Sequence, residues 1–268
     1  DKRAIGYELS ADFQRASLIH VLVLSGYNIT IVINAVAHFV SYLPRVAQWG
    51  VSGAIVLFFM ALAGGASSAV RAGTMALIAV YARQQGRIFV PLRAIAAVAA
   101  GMALWNPYVV AFDPGFQLSV LATVGLVAFT PIFAARMSRV TERFAIREIA
   151  ASTVATQFTV LPLILYQNGQ LSLVALPANI FALIPVPFAM AASAAAALMG
   201  AVFGGSATLF ALPAYVLLSY MIAVAHFFGS LPFAAVSIGA FDLGWLAVAY
   251  GALFAVWKYA EQRKSGRV

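Results

Sequence analysis

Apolar runs, roughly 15–25 residues each, follow one another along this chain, separated by short polar stretches. Within the runs, apolar and polar positions do not alternate strictly, which argues for helices over strands. Runs of this length match the hydrocarbon thickness that a membrane helix must cross. The pattern predicts about nine membrane segments, at 18–40, 48–64, 68–84, 92–106, 115–135, 148–166, 174–203, 208–229 and 242–258. The seventh is expected to be proline-broken or re-entrant, because Pro177, Pro185 and Pro187 crowd its first half. Its second half, AMAASAAAALMGAV, is built of small residues that let helix backbones approach closely. An amphipathic approach segment, 1–17, precedes the transmembrane domain, 18–258, and a basic tail, 259–268, follows it.

Composition removes the aqueous alternative. Of 268 residues, 63% are hydrophobic and 9% charged, with mean hydropathy +0.96. A soluble domain carries about 25% charge. The expected fold class is an all-α polytopic transmembrane helical bundle, because lipid leaves only helices and closed barrels with satisfied backbones. With no cysteine, disulfides, thiolate metal sites and cysteine nucleophiles are excluded. Residues 1–16 show no cleavable signal pattern. There is no sequence repeat and no polar stretch long enough for a second, soluble domain. A start at Asp1 without Met is compatible with a fragment of a longer protein and does not decide the matter.

The net charge of +8 is an orientation signal before it is a nucleic-acid signal. Under nine spans, Arg45, Arg83, Arg87, Arg93, Arg136, Arg139, Arg143, Arg147, Lys258, Arg263, Lys264 and Arg267 share one side. Lys2, Arg3, Arg15 and Arg71 share the other. Cytoplasmic loops collect Lys and Arg, so the N-terminus is expected outside and the C-terminus in the cytoplasm.

Four stretches place polar groups where lipid would not accept them. In HVLVLSGYNITIVIN (20–34), an unbroken helix would gather His20, Tyr27, Thr30, Asn34 and His38 within about 80°, with Ser25 and Asn28 on the opposite side. Such a segment must be surrounded by protein or break near Ser25-Gly26. The bland alternative is interhelical hydrogen bonding, at about 0.6 kcal/mol per bond. In GGASSAVRAGT (64–74), Ser67 or Ser68 is expected to cap a helix on which Ser67, Arg71 and Thr74 share a face. Arg71 then either snorkels to the outer headgroups or faces a water-filled cavity. In NPYVVAFDPGFQLS (106–119), Asp113 followed by Pro114 reads as an N-cap and a first helical residue. Gln117, one turn further in, is not needed for that cap. Asn179 lies in the proline-broken segment. His20, His38 and His226 have no ligand spacing, so no metal is expected.

Four motifs in order resemble the competence domain of the ComEC family, the DNA-uptake channels of naturally transformable bacteria. HVLVLSGYNI (20–29) resembles a HLLAVSGLHV-like motif, and SSAVRA (67–72) a PSVVRA-like one. DPGFQLSVLATVG (113–125) resembles DVGFQLSFLATLG, and LPANIFALIP (176–185) resembles LLANLLAVP. Tyr27-Asn28 stand where the family pattern has Leu-His. Many family members add an outer OB-fold domain and a metallo-β-lactamase-like nuclease domain; no HxHxDH motif occurs here, so no nuclease is expected.

The resemblance implies a channel in the bacterial inner membrane that brings single-stranded DNA into the cytoplasm during natural transformation. Single-stranded DNA, membrane lipids, other components of the uptake machinery and a separate nuclease or OB-fold domain are the implied partners, with no cofactor. His20, Ser25, Gly26, Tyr27, Asn28, Asn34, Arg71, Gln117 and Asn179 are the expected path-lining residues. Ser67, Asp113, Pro114, Pro185 and Pro187 are the expected capping and structural residues. A small-molecule or lipid-precursor transporter would use broken helices equally well. A non-transporting scaffold or assembly subunit would instead pair its polar residues one to one between helices.

Overall fold

A computed structural model describes residues 6–22, 26–39, 42–204, 208–239 and 242–265. Thirteen α-helices occur among them. The first eight are α1 (Tyr7–Arg15), α2 (Ile19–Leu22), α3 (Gly26–Phe39), α4 (Arg45–Leu62), α5 (Ser67–Gln84), α6 (Pro91–Trp105), α7 (Tyr108–Phe112) and α8 (Pro114–Arg136). The rest are α9 (Ile146–Asn168), α10 (Ala175–Leu183), α11 (Val186–Phe203), α12 (Thr208–Gly229) and α13 (Leu243–Ser265). The all-α expectation gains one exception. Strands β1 (Gln170–Ser172) and β2 (Ala235–Ser237) pair antiparallel, with Leu171 opposite Val236.

Every predicted segment is carried by helix, but the count of nine spans does not follow from that. Among the described residues, four helices are long and apolar enough to cross a membrane: Pro114–Arg136, Ile146–Gln167, Val186–Phe203 and Thr208–Gly229. Val46–Leu62, Pro91–Trp105 and Leu243–Tyr259 are apolar but shorter. The first predicted segment is shared by α2 and α3, with residues 23–25 outside the described set.

The seventh segment is broken as expected, between α10 and α11. Pro185 and Pro187 each lack the N–H that would close a helical bond four residues back, so two bonds are lost within three residues. Pro187 is thereby placed in the first turn of α11 and Pro177 in the first turn of α10, where N–H groups have no helical partner anyway. Single prolines are tolerated inside α8, α9 and α12, at Pro131, Pro162 and Pro213.

The chain divides into two units, each taken by itself: residues 1–22, 132–154 and 161–268, and residues 23–131 and 155–160. In the first, α1 and α10 each lie against α12. Phe13, Ala16 and Leu18 are buried with Ala178, Ala182, Val224 and Ala225. Gly229 makes this approach possible: a Cβ there would stand 2.5 Å from the Asp12 carbonyl oxygen and 2.6 Å from its Cα. Asp12 Oδ2 pairs with His226 Nδ1 at 2.7 Å. Ser172 Oγ donates to the Arg15 carbonyl at 2.6 Å, tying β1 to the end of α1. In the same unit, Arg147 folds the loop after α8 by donating to the Ser138 and Val140 carbonyls and pairing with Glu142.

In the second unit, α3, α4 and α5 share a core of Ile29, Ile33, Val56 and Ala72. Gly73 lets α5 approach α4: a Cβ would stand 2.5 Å from Met60 Sδ. Phe129 of α8 packs edge-on against Phe158 of α9, their centroids 5.9 Å apart. Gly125, one turn earlier on α8, would press a Cβ onto Thr159 and the Ala155 carbonyl.

Candidate functional site

The polar residues of the second unit meet where α5 and α8 begin. Helix α8 starts as the sequence implies. Asp113 is extended, at φ −104° and ψ 100°, and its Oδ1 accepts from the Phe116 N–H at 3.0 Å. Pro114 takes the first helical position, where its missing N–H costs nothing.

Ser67 departs from its expected role. Ala66 is the N-cap of α5, no side chain caps that helix, and Ser67 is its first residue. The Ser67 hydroxyl donates instead to Asp113 Oδ2. Both oxygens of Asp113 are thus engaged, one by the start of α8 and one by the start of α5.

Gln117 also proves to be a structural tie. Its Nε2 donates to the Val110 carbonyl at 2.8 Å and the Ala111 carbonyl at 3.0 Å. These are late carbonyls of α7, which a five-residue helix leaves without intrahelical donors. Gln117 therefore caps the end of α7 from the first turn of α8, a role that the cap at Asp113 concealed.

Arg71 sits one turn into α5 and is 6% exposed. It does not extend along the helix toward an interface. It turns onto α8, where Nε donates to Ser119 Oγ at 2.5 Å and Nη1 to Thr123 Oγ1 at 2.9 Å. Met75 Sδ lies 3.5 Å from Nη1. The Thr123 hydroxyl donates to the Ser119 carbonyl at 2.9 Å, which leaves its lone pairs for the guanidinium. Thr74 does not join this group, since its hydroxyl returns to the Val70 carbonyl of its own helix at 2.8 Å.

Ser119 and Thr123, one turn apart, therefore form a second contact face on α8. Gly125 and Phe129, which meet α9, lie roughly 240–280° around the helix from Ser119. Sequence reading passed over the hydroxyl pair because Ser and Thr in apolar helices commonly bond their own carbonyls. The available signal was their spacing of four on an otherwise apolar helix.

Arg71 has no carboxylate among the described residues within ion-pair distance. The sequence explains why. Asp113 is the single acidic residue in residues 23–131 and 155–160, and it is already committed to Ser67 and the α8 cap.

The other expected lining residues are carried by different helices. His20 is exposed on α2 and Asn28 is half-buried on α3. Gly26, Tyr27 and Asn34 belong to α3; the side chains of Tyr27 and Asn34 lie outside the described set, as does the whole of Ser25. Asn179 is 4% exposed on α10; its Nδ2 donates to the Ala175 carbonyl at 2.8 Å, while Oδ1 has no partner among the described residues. Near the break, Phe181, Ile184, Pro185, Leu217 and Tyr220 line an apolar groove of about 300 Å³. His20 and Asn179 fall in the first unit, and Asn28, Arg71 and Gln117 in the second. Among the described residues, no group of three or more His, Asp or Glu side chains could hold a metal ion.

These features define a helical membrane protein with a buried, unmatched basic group at the meeting of two helices. The chain belongs to the Competence protein family, whose model matches residues 1–263. Comparison with curated proteins and with solved structures returned no match.

Proposed function

We propose that this protein is the inner-membrane conduit through which single-stranded DNA reaches the cytoplasm during competence. Family membership supplies the process, and Arg71 carries the step to a conduit. A buried guanidinium without a carboxylate is expensive to maintain in or near lipid. A polyanion in transit, with one negative charge per nucleotide, provides its counter-charge intermittently. Ser119 and Thr123 hold the group by neutral hydrogen bonds, which leave its charge available. The test is a clean deletion in a host without a second copy of the family. Cells should still bind duplex DNA at the surface, internalise no label and yield no transformants. Normal transformation would remove the reading.

The orientation proposed is N-terminus outside and C-terminus cytoplasmic. The charge bias supplies its direction, and two sets of contacts support the sharing of sides on which it rests. Ser67 with Asp113, and Arg15 with β1 and β2, join loops that the charge count assigns to the same side. The native chain has no cysteine, so single cysteines at Ser138 and Gln170 report directly. An impermeant maleimide should label position 170 in intact cells and spare 138; the reverse pattern would invert the topology.

A scaffold is the second reading, favoured by the pairing of Ser67 with Asp113 and of Gln117 with α7. It requires that Arg71→Gln, expressed at the normal level, leave uptake unchanged.

A further inference from the structure

The donors around Arg71 are not exhausted by the contacts they make. Nε and Nη1 are engaged, but no described group accepts from Nη2. Ser119 Oγ accepts from Nε, and its own hydroxyl hydrogen reaches no described acceptor. A hydroxyl hydrogen and a guanidinium nitrogen thus remain as neighbouring, unused donors. Thr123 offers no third, because its hydrogen goes to the Ser119 carbonyl. Asp113 supplies no acceptor, since both its oxygens are occupied. A pair of side chains that is positive and rich in donors selects a ligand that is anionic and only accepts.

We propose that Arg71 and Ser119 form an anion subsite that takes a phosphate oxygen of the strand in transit, with Thr123 as the residue that positions the guanidinium. The assignment rests on the conduit reading and deepens it by naming two α8 residues that work with Arg71. Thr123 fixes the Nη1 side and Ser119 the Nε side, so the plane of the fork is set before the ligand arrives. Preorganised donors bind without the ordering cost that a free arginine side chain would carry. A lipid headgroup phosphate has the same chemistry, and the experiment separates the two sources.

The test uses the full chain purified in maltoside micelles, which contain no phosphate. The probes are a fluorescent oligothymidylate with ordinary phosphodiester linkages and the same oligomer with neutral methylphosphonate linkages. Wild type should bind the phosphodiester form more tightly by about tenfold, the value of one charge-assisted hydrogen bond. Ser119→Ala and Thr123→Val should each bring that ratio toward one, without lowering the melting temperature in the same micelles. Ser119→Thr and Thr123→Ser keep the hydroxyls and should restore the preference. A purely structural role would alter melting and binding of both oligomers alike, and would leave the ratio where it was.

The lipid source is probed with phosphatidylglycerol. If it binds in an Arg71- and Ser119-dependent way while the oligomer preference ignores both residues, the subsite belongs to lipid and the proposal falls. If deletion blocks uptake but Ser119→Ala and Thr123→Val transform normally with an unchanged ratio, the subsite fails and the conduit reading stands. If deletion transforms normally, the conduit reading fails first.

Discussion

The α1–α12 contact and the α5–α8 contact both carry a charged side chain into a helix interface, and they handle the charge in opposite ways. On α12, His226 pairs with Asp12 of α1, and Gly229 brings the two backbones close enough to hold the pair. On α8, Arg71 finds two hydroxyls, with a sulfur on its own helix and no carboxylate among the described residues. In the first arrangement the carboxylate has a hydrogen-bond partner within the fold. The second is a fixed charge whose balance must come from elsewhere. The difference separates a contact whose polar groups are partnered within the fold from one that, under the proposed function, is kept ready for a ligand.

The comparison can be broken at four points. Arg71→Met should leave the melting temperature in detergent unchanged or raise it, since removing a buried charge in favour of a well-packed apolar group is worth up to about 1–4 kcal/mol. The same variant should lose transformation at a normal membrane level. A marked fall in melting temperature would mean the charge is balanced within the fold, and the contrast with His226 would collapse.

Gly229→Val follows, at roughly 1–3 kcal/mol, because the added carbons meet the Asp12 backbone at 2.5–2.8 Å and no rotamer relieves that. Limited proteolysis should then cut at Arg15, which the docked α1 protects in wild type. Equal resistance in both would show that α1 docks without this close approach.

Asp113→Ala should cost about 1 kcal/mol by removing the α8 cap. It also leaves the Ser67 hydroxyl without its acceptor. Asp113→Asn should recover most of the loss, since an amide oxygen caps nearly as well. Hydrogen exchange at the Phe116 amide is the direct readout, and unchanged protection in Asp113→Ala would refute the cap.

The smallest effect is expected for His226→Ala. Its side chain is 69% exposed, and exposed ion pairs contribute roughly 0.2–1 kcal/mol. Proteolytic release of α1 should change little beside Gly229→Val. A loss as large as that of Gly229→Val would make the ion pair, not the packing, the fastening of α1.

What the sequence determined is what a run of neighbouring residues can determine. Apolar length placed the helices, two prolines at spacing two placed the break after Leu183, and Asp113-Pro114 placed the start of α8, because each depends on backbone groups within a turn. Partner choice is a different quantity. Ser67 reaches Asp113 across 46 residues, and Arg71 reaches Ser119 and Thr123 across 48 and 52. A serine at a helix start caps or does not according to what packs above it, and here a carboxylate takes the Ser67 hydroxyl. Gln117 looked unemployed because the ends of α7 were invisible before the two helices were set side by side. The docking of α1, the pairing of β1 with β2 and the isolation of the Arg71 charge were decided in the same way. Each is set by which surfaces meet in three dimensions, and by which of the chain's few carboxylates have already been taken.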